Sequence, residues 1–137
     1  MIDLLALQES WCRETGAGDS GLSGMPVGQC AVTALLVQDL LGGEIVRAEI
    51  ARYDLRDDGS CAVESHYWNR IPGMGDIDLT RAQYPSAEQC PHPAPVIPPG
   101  DAVPRSRLME GERAVRARTP ERYALLKQRY EARARSC

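Results

Sequence analysis

Gly28-Gln29-Cys30-Ala31-Val32-Thr33-Ala34 marks the point where a glycine-punctuated loop turns into a helix. Gly21, Gly24, Pro26 and Gly28 break up the loop, and from Ala31 to Leu41 the pattern is helical. Val32, Leu35, Leu36 and Val37 form an apolar surface relieved by Gln38 and Asp39. Gly42-Gly43 then stops the helix, because only glycine enters positive-φ cap conformations cheaply. Cys30 is therefore expected at a helix N-terminus, where unpaired N–H groups and the positive end of the macrodipole stabilise an anion. A cysteine so placed is a candidate nucleophile. The competing reading makes it a small buried apolar residue, as free cysteines often are.

On the N-terminal side, residues 2–12 read as a short helix with Leu4, Leu5, Leu7 and Trp11 on its buried side and Cys12 at its end. Residues 13–29 form a loop of a length that is often functional. On the other side, residues 44–53 read as a strand, and Asp58-Gly59 within Arg56-Asp57-Asp58-Gly59-Ser60 signals a hairpin. A second strand is expected from Cys61 to Ile71, a turn at Pro72-Gly73-Met74-Gly75, and a third strand from Asp76 to Leu79. Arg81-Ala82-Gln83-Tyr84 begins a brief helical turn that Pro85 stops. The expected fold is α+β: N-terminal helices packed on a three-stranded antiparallel meander.

Most of the ten prolines fall in residues 85–104, an extended and stiff connector. Residues 106–118 read as a helix weakened by Gly111, and Thr119-Pro120-Glu121 is a strong start for another. Tyr123, Leu126 and Tyr130 share a stripe that needs a surface to cover it. A single domain is thus expected over residues 1–137, with a helix-plus-sheet core to residue 84, the connector, and a basic helical segment from 105.

Net charge is −3, unevenly spread. Residues 1–104 carry 6 basic and 15 acidic side chains, and residues 105–137 carry 10 basic and 4 acidic. Such asymmetry fits either a nucleic-acid tail or a basic helix docked on an acidic body. Docking is favoured, because acids are interleaved and no Lys/Arg block is continuous. The 43% apolar content suits one modest core. No apolar run approaches the ~20 residues of a membrane span, and no signal peptide is evident. The five cysteines are odd in number and form no CxxC pair, so a reducing, cytoplasmic setting with free thiols is expected. Cys90-Pro91-His92 offers two ligands with no partner motif, so neither a metal nor a cofactor is expected.

His66 is one of two histidines and falls in the second strand. A lone strand histidine is usually structural, but a hairpin centred on Pro72 sets it opposite Asp78, on the same face. An aspartate there holds the imidazole in one tautomer while the imidazole activates a thiol. Cys30, on a helix packed against that face, is the expected third member. Asp76 is expected on the opposite side as a turn residue, and Asn69 has opposite parity to His66. The order Cys30, His66, Asp78 resembles papain-like and transglutaminase-like thiol enzymes.

A more specific resemblance runs through nearly the whole chain. Gly28 to Ala34 with Gln38-Asp39 and Gly42-Gly43, His66-Tyr67-Trp68-Asn69-Arg70, Asp78-Leu79-Thr80-Arg81-Ala82-Gln83-Tyr84, and Thr119 with Arg122-Tyr123 and Leu126 are similar to the YunG-like family of small bacterial proteins. Tyr84 stands where phenylalanine is expected in that family, and the proline connector is longer than usual. The resemblance implies that the C-terminal helix belongs to the domain, and it implies no activity.

Two functions are expected from these residues. One is a thiol hydrolase or acyltransferase with Cys30 as nucleophile, His66 as base and acid, and Asp78 as its orienter, acting on an amide, thioester or peptide-like bond. Its substrate is expected to be a small molecule or a single side chain. The backbone N–H of Cys30 and the Gln29 amide would form the oxyanion site, with Trp68, Asn69 and Arg70 lining the cleft. A plain loop glutamine, a packing tryptophan and loop contacts are the structural alternatives for these four. The other function is a non-catalytic module whose basic C-terminal region contacts an acidic protein or RNA.

Overall fold

The computed structural model describes residues 1–17, 28–86, 88–89 and 93–135. Helix α1 (Leu4–Ser10) starts at Asp3, whose carboxylate accepts the Ala6 N–H at 2.9 Å. Its buried residues are Ala6, Leu7 and Ser10, and Trp11 follows them into the core. Leu4 and Leu5 are exposed, contrary to the expectation. Leu5 lies two positions from Leu7 and so points to the other side of the helix, and the buried side begins only at Ala6. After a 3-10 turn at Arg13–Thr15, helix α2 (Cys30–Leu41) runs through the core with Val32 to Val37 all buried. Gly42 (φ +76) and Gly43 (φ +80) end it, as expected.

Strands β1 (Glu44–Arg52), β2 (Ala62–Ile71), β3 (Gly75–Ile77) and β4 (Asp101–Val103) form an antiparallel sheet in the order β3-β2-β1-β4. The sheet therefore has four strands among the described residues, not three. The fourth is a three-residue strand at the end of the proline-rich connector, where Val103 pairs with Ile45. It is too short to show a period-2 pattern, and the prolines around it mask it. The second hairpin also differs in register. Asn69 faces Ile77 and Ile71 faces Gly75, so the turn is centred on Gly73 rather than Pro72. Pro72 and Gly73 (φ +80) occupy the middle of a turn closed by the Met74 N–H to the Ile71 carbonyl, and Met74 adds a third loop residue.

The two faces of the sheet are covered differently. Ile45 and Tyr67 point to the main core, with Val32, Leu35 and Leu36 of α2. Val46, Ala48, Ile50 and Trp68 point the other way and pack with Tyr84 and Ile97. The connector thus crosses the second face before it reaches β4. Its closest approach is at Gly100 (φ +74), where an added Cβ would meet Trp68 Cη2 at 2.6 Å and Val46 Cγ1 at 2.7 Å.

The basic segment folds as α3 (Ser106–Met109), α4 (Gly111–Ala117) and α5 (Thr119–Arg135). The expected helix over 106–118 is broken at Glu110 and Gly111, where φ reaches +89. Helix α5 docks on α2, α1 and the Arg13–Thr15 turn, burying Tyr123, Leu126 and Tyr130. Arg129 Nε donates to the Ser10 carbonyl at 2.8 Å, and Tyr130 Oη accepts the Asp3 N–H at 2.9 Å. No helix among the described residues is long and apolar enough to cross a membrane.

Replacing Gly100 with alanine adds a collision with Trp68 to the cost of a positive φ, whereas Gly59 (φ +74) has nothing within 4 Å of an added Cβ. Gly59→Ala is expected to lower stability by about 1 kcal/mol and Gly100→Ala by about 2–4 kcal/mol. Urea unfolding followed by tryptophan fluorescence measures both; equal losses would contradict this close packing.

Candidate active site

Cys30 is the first residue of α2, with Gln29 at the N-cap. The Gln29 side chain caps nothing. It is fully buried, its Oε1 accepts from Thr15 Oγ1 at 2.8 Å, and its Nε2 donates to the Cys12 carbonyl at 2.9 Å. Gln29 therefore ties the Arg13–Thr15 turn to the head of α2. An added Cβ at Gly16 would meet its Nε2 at 2.9 Å, which explains the glycine there. Of the two readings for Gln29, the structure shows the packing one.

His66 is fully buried on β2. Trp68 stacks on it at 5.4 Å between ring centres, and Tyr84 meets it edge-on at 4.9 Å. His66 Nε2 lies 2.6 Å from Asp78 Oδ2. A carboxylate only accepts, so Nε2 carries the proton in this contact. Asp78 is itself oriented, since its Oδ1 accepts from the Thr80 N–H at 3.2 Å and lies 3.4 Å from Thr80 Oγ1. With the turn centred on Gly73, the ladder position opposite His66 would be Thr80. Asp78 lies beyond the end of β3, and its carboxylate reaches His66 diagonally. The register was off by two residues, which preserves parity, so both side chains still share a face.

Cys30 meets this pair by a different route from the one expected. Helix α2 packs on the face that carries Ile45 and Tyr67, not on the face that carries His66. Strand β3 ends at Ile77 opposite Asn69, so its ladder with β2 stops short of His66. Cys30 lies near enough to the ring to act on its charge state. Burial alone pulls the His66 pKa down; hydrogen bonds to Asp78 and Cys30, with their charges, outweigh it and lift the pKa to about 9.

The other residues singled out from the sequence lie nearby but do other things. Trp68 Nε1 donates to Asp76 Oδ2 at 3.0 Å, and Arg70 Nε donates to Asp76 Oδ1 at 2.7 Å. Asp76 pairs with Arg70 and so shares the face of Trp68; Asp76 and Asp78, two residues apart, lie on one side, and the expectation of opposite sides is corrected. Asn69 is buried and donates to the Ala34 carbonyl at 2.9 Å, pinning β2 to α2. Arg70 also reaches the Pro99 carbonyl at 3.2 Å. None of Trp68, Asn69, Arg70 and Gln29 lines the cavity beside Cys30.

That cavity has a volume of about 500 Å³. Cys30 lines it together with Gln83, Tyr84, Tyr67, Leu108 and Arg122. Gln83 comes from the 3-10 turn Arg81–Gln83 that follows Asp78. Its Nε2 stands 3.2 Å from Thr80 Oγ1 and, more loosely, 3.5 Å from His66 Nδ1. Tyr84 is driven toward its neutral phenol by burial and by the Cys30 and Glu64 charges. Arg122 donates to the carbonyls of Thr15 and Ala117 and to Thr119 Oγ1, at 3.1, 2.9 and 3.2 Å. Burial lowers its pKa, and the charge of Cys30 opposes that fall. Gln83 and Arg122 were not singled out from the sequence; the available signal was their place in the Asp78–Tyr84 and Thr119–Leu126 segments.

A family model described as YunG protein matches residues 4–135. The chain belongs to the YunG family. The matched span begins at the first residue of α1 and ends at the last of α5, so the YunG unit includes the docked C-terminal helix. No curated protein and no solved structure gives a significant match. Among the described residues no group of three or more His, Cys, Asp or Glu side chains is placed to hold a metal ion, and Cys90, Pro91 and His92 lie outside them.

The raised pKa fixes a sign for stability. An unfolded histidine titrates near 6.5 and folded His66 near 9, so protonation favours the folded state. The contribution is full below pH 6.5 and is lost as pH rises through about 9. It is expected to be on the order of 3 kcal/mol. Urea unfolding at pH 6 and pH 9.5 should show that loss in the wild-type chain and a smaller one in Asp78→Asn; the same pH dependence in both would contradict the pairing.

Proposed function

We propose that the chain is a cysteine-nucleophile acyl-transfer enzyme, a hydrolase or acyltransferase acting on an amide, thioester or peptide-like bond. The observation that carries the reading is the buried His66 ring, bound to Asp78 through Nε2 and raised in pKa by that carboxylate and by Cys30, which itself lines a cavity that His66 and Asp78 do not line. With Nε2 engaged, Nδ1 is the nitrogen left for the sulfur. Asp78 positions and stabilises the imidazolium, and the aromatic packing of Trp68 and Tyr84 keeps the ring from turning. The order Cys30, His66, Asp78 is what this reading shares with papain-like and transglutaminase-like enzymes.

In the first half-reaction the Cys30 proton resides on His66, and the sulfur attacks the substrate carbonyl carbon. The C=O π pair moves to oxygen, for which the Cys30 backbone N–H and the Gln83 amide are candidate donors. Collapse breaks the bond to the leaving group, which takes the proton from His66 and departs as an amine or thiol, leaving a thioester on Cys30. Water or a second nucleophile then gives its proton to His66 and attacks the thioester; collapse breaks the C–S bond, releases the acyl product and returns the sulfur to its starting state beside protonated His66. A cavity of about 500 Å³ suits a small molecule or a single side chain.

Chloroacetamide followed by peptide mass spectrometry tests the first step. Cys30 should be alkylated ahead of the other four cysteines, and His66→Ala should slow that alkylation about a hundredfold. Equal labelling of all five cysteines, or a rate indifferent to His66, would sink the proposal.

A further inference from the structure

Five arginines line the cavity, Arg47, Arg52, Arg107, Arg113 and Arg122, against one carboxylate, Glu64. Two of the five are committed to the fold. Arg52 is bonded to Asp54 at 2.6 Å and to Glu64 at 2.9 Å, which also occupies the one lining carboxylate. Arg122 serves two backbone carbonyls and Thr119. The remaining three come from different elements: Arg47 from β1, Arg107 from α3 and Arg113 from α4. Arg47 reaches Ser65 Oγ at 2.8 Å and, at 3.5 Å, a largely exposed Glu49. The Nε atoms of Arg47 and Arg107 are buried and have no hydrogen-bond partner.

A buried N–H left without an acceptor is costly, so Arg47 and Arg107 are cations short of acceptors within the fold, and both line this cavity. The rest of the wall is largely apolar, with Ala31, Tyr67, Leu108 and Ala114 among its residues. We infer that the cavity binds an acyl compound that carries its own carboxylate. That group is held by Arg107 and Arg47, with Arg113 at the mouth, while an apolar stem lets the scissile carbonyl reach Cys30. A guanidinium fork matches a carboxylate with two parallel hydrogen bonds, and a water-poor pocket strengthens them. This inference rests on the acyl-transfer reading for the identity of the reacting group, but the anion site itself does not. It also gives a role to basic residues of the 105–137 segment that α5 docking leaves unused.

Two measurements test it. The first compares iodoacetate with iodoacetamide, reagents of similar size that differ in charge. The rate ratio of iodoacetate to iodoacetamide at Cys30 should exceed the ratio at Cys61 of the same chain by about tenfold, and should fall toward the Cys61 value in Arg107→Gln. Equal ratios at the two cysteines would overturn the inference. The second needs no reactive thiol. Glutarate, but not its neutral diamide glutaramide, should raise the Tm of the wild-type chain and of Cys30→Ser, and the effect should be lost in Arg107→Gln and reduced in Arg113→Gln. No glutarate effect, or the same effect in all variants, would overturn it. Slow alkylation of Cys30 together with an Arg107-dependent glutarate effect would remove the acyl-transfer reading and keep the anion site.

Discussion

The contact between His66 and Asp78 is the constraint from which the rest of the site follows. An imidazole with no solvent exposure loses hydration whichever protonation state it takes, and it stays in place only if its nitrogens find partners. Asp78 satisfies one nitrogen at 2.6 Å, and Thr80 in turn orients Asp78. The ring is fixed between Trp68 and Tyr84, and its second nitrogen, Nδ1, stands 3.5 Å from Gln83 Nε2. The Asp78 carboxylate reaches the ring from just beyond β3, which stops after three residues.

The same logic accounts for the helix head. Cys30 stands there because Gln29 is locked by Cys12 and Thr15, and because Arg122 ties the Thr15 carbonyl to α5. The basic segment is therefore part of the site's foundation, and the matched YunG span includes it. Its arginines dock chiefly on carbonyl oxygens, Arg129 on Ser10 and Arg122 on Thr15 and Ala117, more than on the carboxylates that a charge-pairing picture anticipates. Arg105 with Asp39, at 3.2 Å, is the ion pair of the expected kind.

Much of this was legible in residue order. Gly28 and Gly42-Gly43 bracketed α2, Asp58-Gly59 announced the first hairpin, and parity alone put His66 and Asp78 on one face. Local turn chemistry was less legible: Pro72-Gly73 marks a turn but not whether its loop has two or three residues, and that moved the register by two. Strand β4 was hidden because its pairing with β1 is a tertiary event that three residues among prolines do not announce. Leu4 and Leu5 misled because a short helix leaves leucines at its rim. The roles of Gln29, Trp68, Asn69 and Arg70 depend on which neighbours arrive from distant segments: Cys12 and Thr15, Asp76, the Ala34 carbonyl and Pro99. Gln83 and Arg122 were hidden for the same reason, since their partners come from both ends of the chain.

The central claim is that His66 is held as a cation by Asp78 on one side and Cys30 on the other. The most direct measurement is an NMR titration of the His66 ring nitrogens in the intact chain. The account predicts an imidazolium at pH 7, protonated at both ring nitrogens, that gives up the Nδ1 proton only near pH 9. A ring that is neutral at pH 7, or that titrates near 6.5 as in an unfolded chain, would contradict it.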